Sequence, residues 1–247
     1  MKQLIYILSV IFLFGCDSEN APDCFQNSGD IVQQEIVVDE FTKITVYKNI
    51  ELFIQQGLTQ KVVLETGENL ANDVEVYVEN GRLKLKDNNS CNLTRDYGIT
   101  KIYVTTPNVT EVRNSSNLDV HSIGVLNFPD LKLTSEDDSG DYYNVGLFNM
   151  EVNCTNLFVV INNITTNIIS GTTENLRVNH ASGNGRFEGR YLLAQNVIVY
   201  HRGTNDIIVN PQLSLTASLV STGDVIAVNT PPTVTISEQF DGRVIFE

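Results

Sequence analysis

The chain has 247 residues, no tryptophan and a formal net charge of −14, from 30 acidic against 16 basic side chains. Such an excess repels polyanions, which argues against nucleic acid as a partner. Abundant Asn, Thr, Val and Ile, with hardly a helical stretch, point to an all-β protein built of strands and turns.

The N-terminus carries the first signal. Lys2 precedes an apolar run from Leu4 to Phe14, which ends in Leu13-Phe14-Gly15-Cys16. As a helix that run spans only about 16 Å, too short for a hydrocarbon layer of about 30 Å. The layout is that of a secretory signal peptide over residues 1–15, cut after Gly15, so that Cys16 becomes a lipidated N-terminus. Several acyl chains make attachment to a lipid bilayer effectively permanent. Asp17 and Glu19 give the linker over residues 16–30 an acidic start, similar to the tract with which some Gram-negative bacteria send lipoproteins to the outer surface. The expected location is therefore the Gram-negative cell envelope, lipid-anchored to the outer membrane, with the domain at the cell surface or in the periplasm.

Three cysteines remain for an oxidising compartment. Cys24 and Cys91 sit in polar, turn-rich segments, where a disulfide would pin the N-terminus to the domain. Cys154 follows the run Met150-Glu151-Val152-Asn153 and reads as a buried thiol. A Cys24–Cys91 bridge is the favoured pairing, against pairings with Cys154 or no bridge.

Residues 31–106 read as short strands and hairpins. Ile44 and Val46, Leu52 and Ile54, and Val62 and Leu64 alternate with polar residues. Asn80-Gly81 suits a two-residue type I′ turn. That loop places Glu79 opposite Arg82, Val78 opposite Leu83, Val76 opposite Leu85 and Glu75 opposite Lys86, so apolar faces apolar and acid faces base.

Residues 107–247 are repetitive. Turn glycines fall at Gly183, Gly203 and Gly223, and short apolar stretches such as Leu176-Arg177-Val178 and Val197-Ile198-Val199 start 21 residues apart. A repeat near 20 residues with strands, Gly/Asn corners and no helix predicts a β-solenoid, whose rungs bury their apolar sides only by stacking. A β-sandwich is the alternative. In the solenoid, corner Gly and Asn are expected to supply left-handed backbone geometry. His180 and His201 are expected to stack on neighbouring rungs.

The chemistry-bearing residues form no convincing centre. Glu136, Asp137, Asp138 and Asp141 cluster at one corner and could offer oxygens to Ca²⁺, but match no calcium-loop pattern, so a solvated corner is expected. His121, His180 and His201 lack zinc-site spacing. A glycan-cleaving β-helix needs close carboxylates on adjacent rungs; Asp206 and Asp224, 18 apart rather than 20 or 21, are not expected to align. Tyr142, Tyr143, Tyr191 and Tyr200 offer either a sugar-binding face or rim packing. The expectation is a chain with no catalytic residues, cofactor or metal.

The order Phe41-Thr42-Lys43-Ile44-Thr45-Val46, Leu52-Phe53-Ile54-Gln55-Gln56-Gly57, Asn69-Leu70 and Asn80-Gly81-Arg82-Leu83-Lys84-Leu85, followed by rungs with Ser139-Gly140-Asp141, Ser182-Gly183-Asn184-Gly185 and Thr222-Gly223-Asp224, resembles the putative auto-transporter adhesin, head GIN domain family. The resemblance covers roughly residues 30–247. It implies a right-handed β-helical fold and an envelope or secreted protein of adhesin type, whose partner is an unknown protein or glycan. The competing reading is a glycan-binding or glycan-cleaving β-helix protein.

Overall fold

The structure is a computed structural model that describes residues 24–89, 91–93, 95–136 and 144–247. Gly15, Cys16, Asp137, Asp138, Asp141, Tyr142 and Tyr143 lie outside the described residues. The described chain is all-β apart from one 3-10 turn, Ala71–Asp73, and its strands join a single sheet. In chain order they are β1 (Ile31–Ile36), β2 (Lys43–Val46), β3 (Glu51–Gln56), β4 (Lys61–Gly67), β5 (Val74–Glu79) and β6 (Arg82–Asp87). β7 (Lys101–Thr106), β8 (Glu111–Asn114), β9 (Val120–Leu126) and β10 (Asp130–Ser135) follow. Four long strands come next: β11 (Phe148–Asn162), β12 (Thr166–Ser182), β13 (Arg186–His201) and β14 (Ile207–Leu219). β15 (Val225–Ala227), β16 (Thr233–Glu238) and β17 (Val244–Phe246) complete the sheet.

The pairings form two ladders. One runs β5-β6-β2-β8-β10 and continues through the second halves of β11 to β14 into β16. The other runs β1-β4-β7-β3-β9 and continues through the first halves of β11 to β14 into β15 and β17. From β2 and β3 onward every step is parallel. The antiparallel pairs are β5–β6, β4–β7 and β1–β4, all at the N-terminal end.

Parallel stacking in register lines up identical kinds of side chain. Leu83, Ile44, Val112, Leu133, Val159, Val178, Val199 and Ala217 occupy successive steps of one inward column, and all are buried. Both ladders feed one core cluster, in which Phe128, Phe148 and Phe187 are fully enclosed. No rung could bury this surface alone, since each supplies only two or three inward residues per side.

Three expectations need correction. Residues 31–106 hold more than hairpins, because β2 and β3 pair parallel with β8 and β9 and join the same sheet. The repeat is less regular than 20 or 21: Leu157, Leu176, Val197, Leu215 and Val234 share one column at spacings of 19, 21, 18 and 19. The differences are taken up at the turns and at register shifts inside the long strands, as between Ile168 and Gly171 and between Glu188 and Leu193. Lastly, of Gly183, Gly203 and Gly223, only Gly183 has a positive φ, at 92°.

The Asn80-Gly81 hairpin has the register expected of it, with Glu79 opposite Arg82 and Glu75 opposite Lys86. Both turn residues have positive φ, 51° and 71°. The ion pairs, however, run elsewhere: Arg82 reaches Glu111 at 2.9 Å, and Glu79 takes Lys84 at 2.6 Å. Long side chains follow the nearest charge on the stacked sheet rather than the residue directly opposite.

Candidate functional site

The corner glycines are explained by what lies beneath them. His180 and His201 are fully buried and stack at 5.0 Å between ring centroids, 15° from parallel. They stand in one inward column between Ile161 and Leu219. A Cβ on Gly203 would lie 1.9 Å from His180 Cε1, and one on Gly223 would lie 2.5 Å from His201 Nε2. Glycine is needed there for clearance, not for a left-handed backbone. The Gly203 amide donates to His201 Nδ1 at 3.2 Å, while both ring nitrogens of His180 lack a hydrogen-bond partner. Burial, reinforced by the neighbouring His201, pushes His180 down to about 4, and burial lowers His201 too. Both rings are neutral at pH 7 and serve as packing. His121 is elsewhere, stacked on Phe53 at 5.0 Å and 3.1 Å from Glu51.

The acidic candidates are neutralised one by one. Asp206 and Asp224 do occupy equivalent positions on adjacent rungs, contrary to the spacing argument, because Ile207 and Val225 directly after them are register partners. The turn between those rungs is simply shorter. Asp206 is held by Arg186 at 3.3 Å, and Asp224 accepts the Arg243 backbone amide at 2.8 Å, so they do not form an acid–base pair. Glu136 pairs with Arg113 at 3.0 Å. Burial pushes the Glu111 carboxyl up, but the Arg82 hydrogen bond and charge, with Lys132 and Arg113 beside it, bring it below its ordinary value. No group of three or more His, Cys, Asp or Glu among the described residues could hold a metal ion.

Cys24 and Cys91 form a disulfide across 67 residues. Cys154 is free and buried, and burial with nearby Asp130 pushes its thiol up to about 12, which keeps it protonated and unreactive. Next to the disulfide is a cavity of about 190 Å³, lined in part by Asp87, Asn89, Arg95, Tyr97 and Thr100. Its wall carries a hydrogen-bonded network: Asp87 accepts from Asn89 and from Thr100, whose hydroxyl also meets Thr66, while Asn89 Oδ1 is buried without a partner. Burial raises the Asp87 carboxyl despite these bonds.

The outward face of the stacked rungs carries a feature the sequence reading missed. Asn156 donates to Asp130 at 2.6 Å, Asn175 to Asn156 at 3.0 Å, Asn196 to Asn175 at 3.3 Å, and the Ser214 hydroxyl to Asn196 at 2.9 Å. This ladder of amides crosses five rungs. Asn153 bridges Asn127 and Thr172 in a second, shorter one. Asn156, Asn175 and Asn196 recur at the rung spacing, so the signal was present in the sequence at positions outside the corners. Along the first ladder runs a shallow, mostly apolar groove of about 340 Å³, where Phe158, Arg177 and Ile198 share a column. The Arg177 guanidinium sits 5.3 Å from the Phe158 ring centre. Tyr191 and Tyr200 are exposed, and neither belongs to this groove.

Parallel stacked strands with an outward face of ordered amides and hydroxyls define an all-β protein of stacked-strand architecture. A model of the family described as putative auto-transporter adhesin, head GIN domain, matches residues 40–231, and the chain belongs to that family. Among solved structures it is similar to a putative adhesin from Bacteroides fragilis, with 21% identity and a TM-score of 0.79 over 88% of this chain and 97% of that one. A putative lipid binding protein from Parabacteroides distasonis has 16% identity and a TM-score of 0.60 over 88% and 97%. A putative adhesin from Parabacteroides merdae has 15% identity and a TM-score of 0.56 over 89% and 97%. At such identities the likeness is one of fold. No curated protein matches the chain.

Proposed function

We propose that this chain is a non-enzymatic envelope lipoprotein. A signal peptide over residues 1–15 is removed, Cys16 is acylated, residues 16–30 form a leash, and residues 31–247 form an adhesin-type binding body. The body is a β-solenoid, supported by the parallel pairing of every step from β8 to β17, interrupted only by local register shifts such as those between Ile168 and Gly171 and between Glu188 and Leu193. A right-handed coil is supported by the strong bias of parallel crossovers to that hand. The observation that carries the binding reading is the amide ladder Asp130–Asn156–Asn175–Asn196–Ser214 beside the Phe158 groove. A fixed row of donors and acceptors at rung spacing, about 4.8 Å apart, with an aromatic flank, suits an extended polar polymer such as a glycan chain, or a protein strand. The family description and the adhesins among the similar structures support a place at the cell surface.

Binding of the full chain to a glycan array tests this directly. Asn175→Ala with Phe158→Ala lowers the signal at least tenfold while leaving the fold intact by circular dichroism. Turnover of any polysaccharide, abolished by one carboxylate substitution, overturns the non-enzymatic reading. Palmitate labelling of the cells should vanish in Cys16→Ala, and labelling that persists refutes the anchor.

A further inference from the structure

The two ends of the stacked sheet are closed differently. At the N-terminal end the outermost strands are β1 and β5, both antiparallel returns that carry charge: Glu35 in β1 beside Gln33 and Gln34, and Glu75 and Glu79 in β5. Charged, twisted edge strands resist pairing with other chains. At the other end the outermost strands are β16 and β17, and neither has a partner on its outer edge among the described residues. Thr233-Val234-Thr235-Ile236-Ser237 and Val244-Ile245-Phe246 carry no charge at all.

The core is left open there. Val234 and Ile236 continue the buried columns above Leu215 and Ala217, yet they are 39% and 40% exposed. Phe246 continues the column of Ala227 and is also exposed. Two of the acids that flank this end are matched, Glu247 by Arg190 at 2.6 Å and Glu238 by Arg243 at 3.8 Å, and the third, Asp241, lies in the loop outside both edge strands. A second copy that pairs along residues 233–237 and 244–246 therefore meets no charge on either strand.

We infer that this face pairs with the same face of a second copy, giving an end-to-end dimer with two-fold symmetry. A partner must bring two edge strands at the separation of the two ladders and apolar side chains between them, and a second copy supplies both. The two-fold reverses strand direction, so β16 meets its copy antiparallel. The Gln239 amide donates inward to Leu219, so alternation turns the amides of Val234 and Ile236 to the open edge. Centring on Thr235 then makes Val234 face Ile236 of the copy as a hydrogen-bonded pair, with Thr235 facing itself on the axis. No like charges are opposed. Because β1 and β5 lie at the far ends, the two β1 strands are furthest from the pairing face, a geometry for joining copies on two facing membranes; that last consequence rests on the Cys16 reading, and the pairing itself does not.

At a non-hydrogen-bonded antiparallel site the Cα atoms are about 4.5 Å apart, within disulfide reach. The full chain carrying Thr235→Cys should therefore run at twice its 27.5 kDa on a non-reducing gel after mild oxidation. Thr216→Cys, one rung inward on the same exposed face, should stay at single mass. Ile236→Lys, at a position already part-exposed, should halve the sedimenting mass of the full chain in detergent without unfolding it. A wild-type chain that sediments as a monomer, or a Thr216→Cys band equal to that of Thr235→Cys, overturns the dimer.

Discussion

The N-terminal strands β1 to β7 and the body from β11 to β17 share one core but are held in different ways. In the first region hairpins fold back over the sheet, opposite charges bind the edges, and the disulfide ties Cys24 to Cys91. In the second region hairpin returns and the disulfide are missing among the described residues, and vertical stacking dominates: inward columns of Val, Leu and Ile, a pair of stacked histidines under glycines, and amide ladders outside, with ion pairs such as Arg186–Asp206 between neighbouring strands. Local contacts and a covalent link hold one end, and repetition holds the other. The lesson is that a repeated body needs a specialised cap at the end where repetition begins, since the first rung has no neighbour below it.

Breaking the covalent link sharpens this contrast most. Cys91→Ser removes a closure of 67 residues, and the chain-entropy relation sets the loss at up to about 4 kcal/mol. Hydrogen exchange should place that loss in residues 31–106, with β12 and β13 protected as before. Uniform loss of protection along the chain would show that the two regions unfold as one.

The histidine pair tests the body in turn. His180 lies at about 4 when folded and near 6.5 when unfolded, so the unfolded chain takes up its proton first as the pH falls. The stability is present above pH 6.5 and is lost progressively between about 6.5 and 4. At about 1.4 kcal/mol per unit the loss approaches about 3 kcal/mol. Urea midpoints of the wild type and His180→Leu, measured across that window, check the sign and origin; equal slopes would remove His180 as the cause.

The smallest effect concerns clearance. Gly203→Ala places a methyl group against the His180 ring and should cost about 2 kcal/mol by overpacking. His180→Ala in the same chain should recover most of it, since the clash has one named partner. An additive double mutant would mean that the glycine serves its backbone instead.

Much of this was legible in the residues themselves. The Asn80-Gly81 hairpin has a two-residue loop, and a two-residue loop leaves one register in which apolar meets apolar. The alternation of Ile44, Val46, Leu52 and Ile54 marked their burial, because a strand in this chain has one wet side and one dry side. The stacking of His180 on His201 followed from equal spacing. The alignment of Asp206 with Asp224 did not, because turns and the register shifts within strands change the residues per rung from one rung to the next, and sequence spacing counts both.

What the sequence by itself determined was an all-β chain, a repeat near 20 residues, a hairpin at Asn80-Gly81 and membership of the adhesin-head family, all written in local pattern and turn chemistry. What only the tertiary structure decided was the use of each residue across rungs: that Gly203 and Gly223 make room for imidazoles, that Asn156, Asn175 and Asn196 join into a ladder, and that Val234 and Ile236 are core residues left at an open edge. Those roles depend on the neighbour one rung away, about 20 residues distant in sequence and about 4.8 Å distant in space.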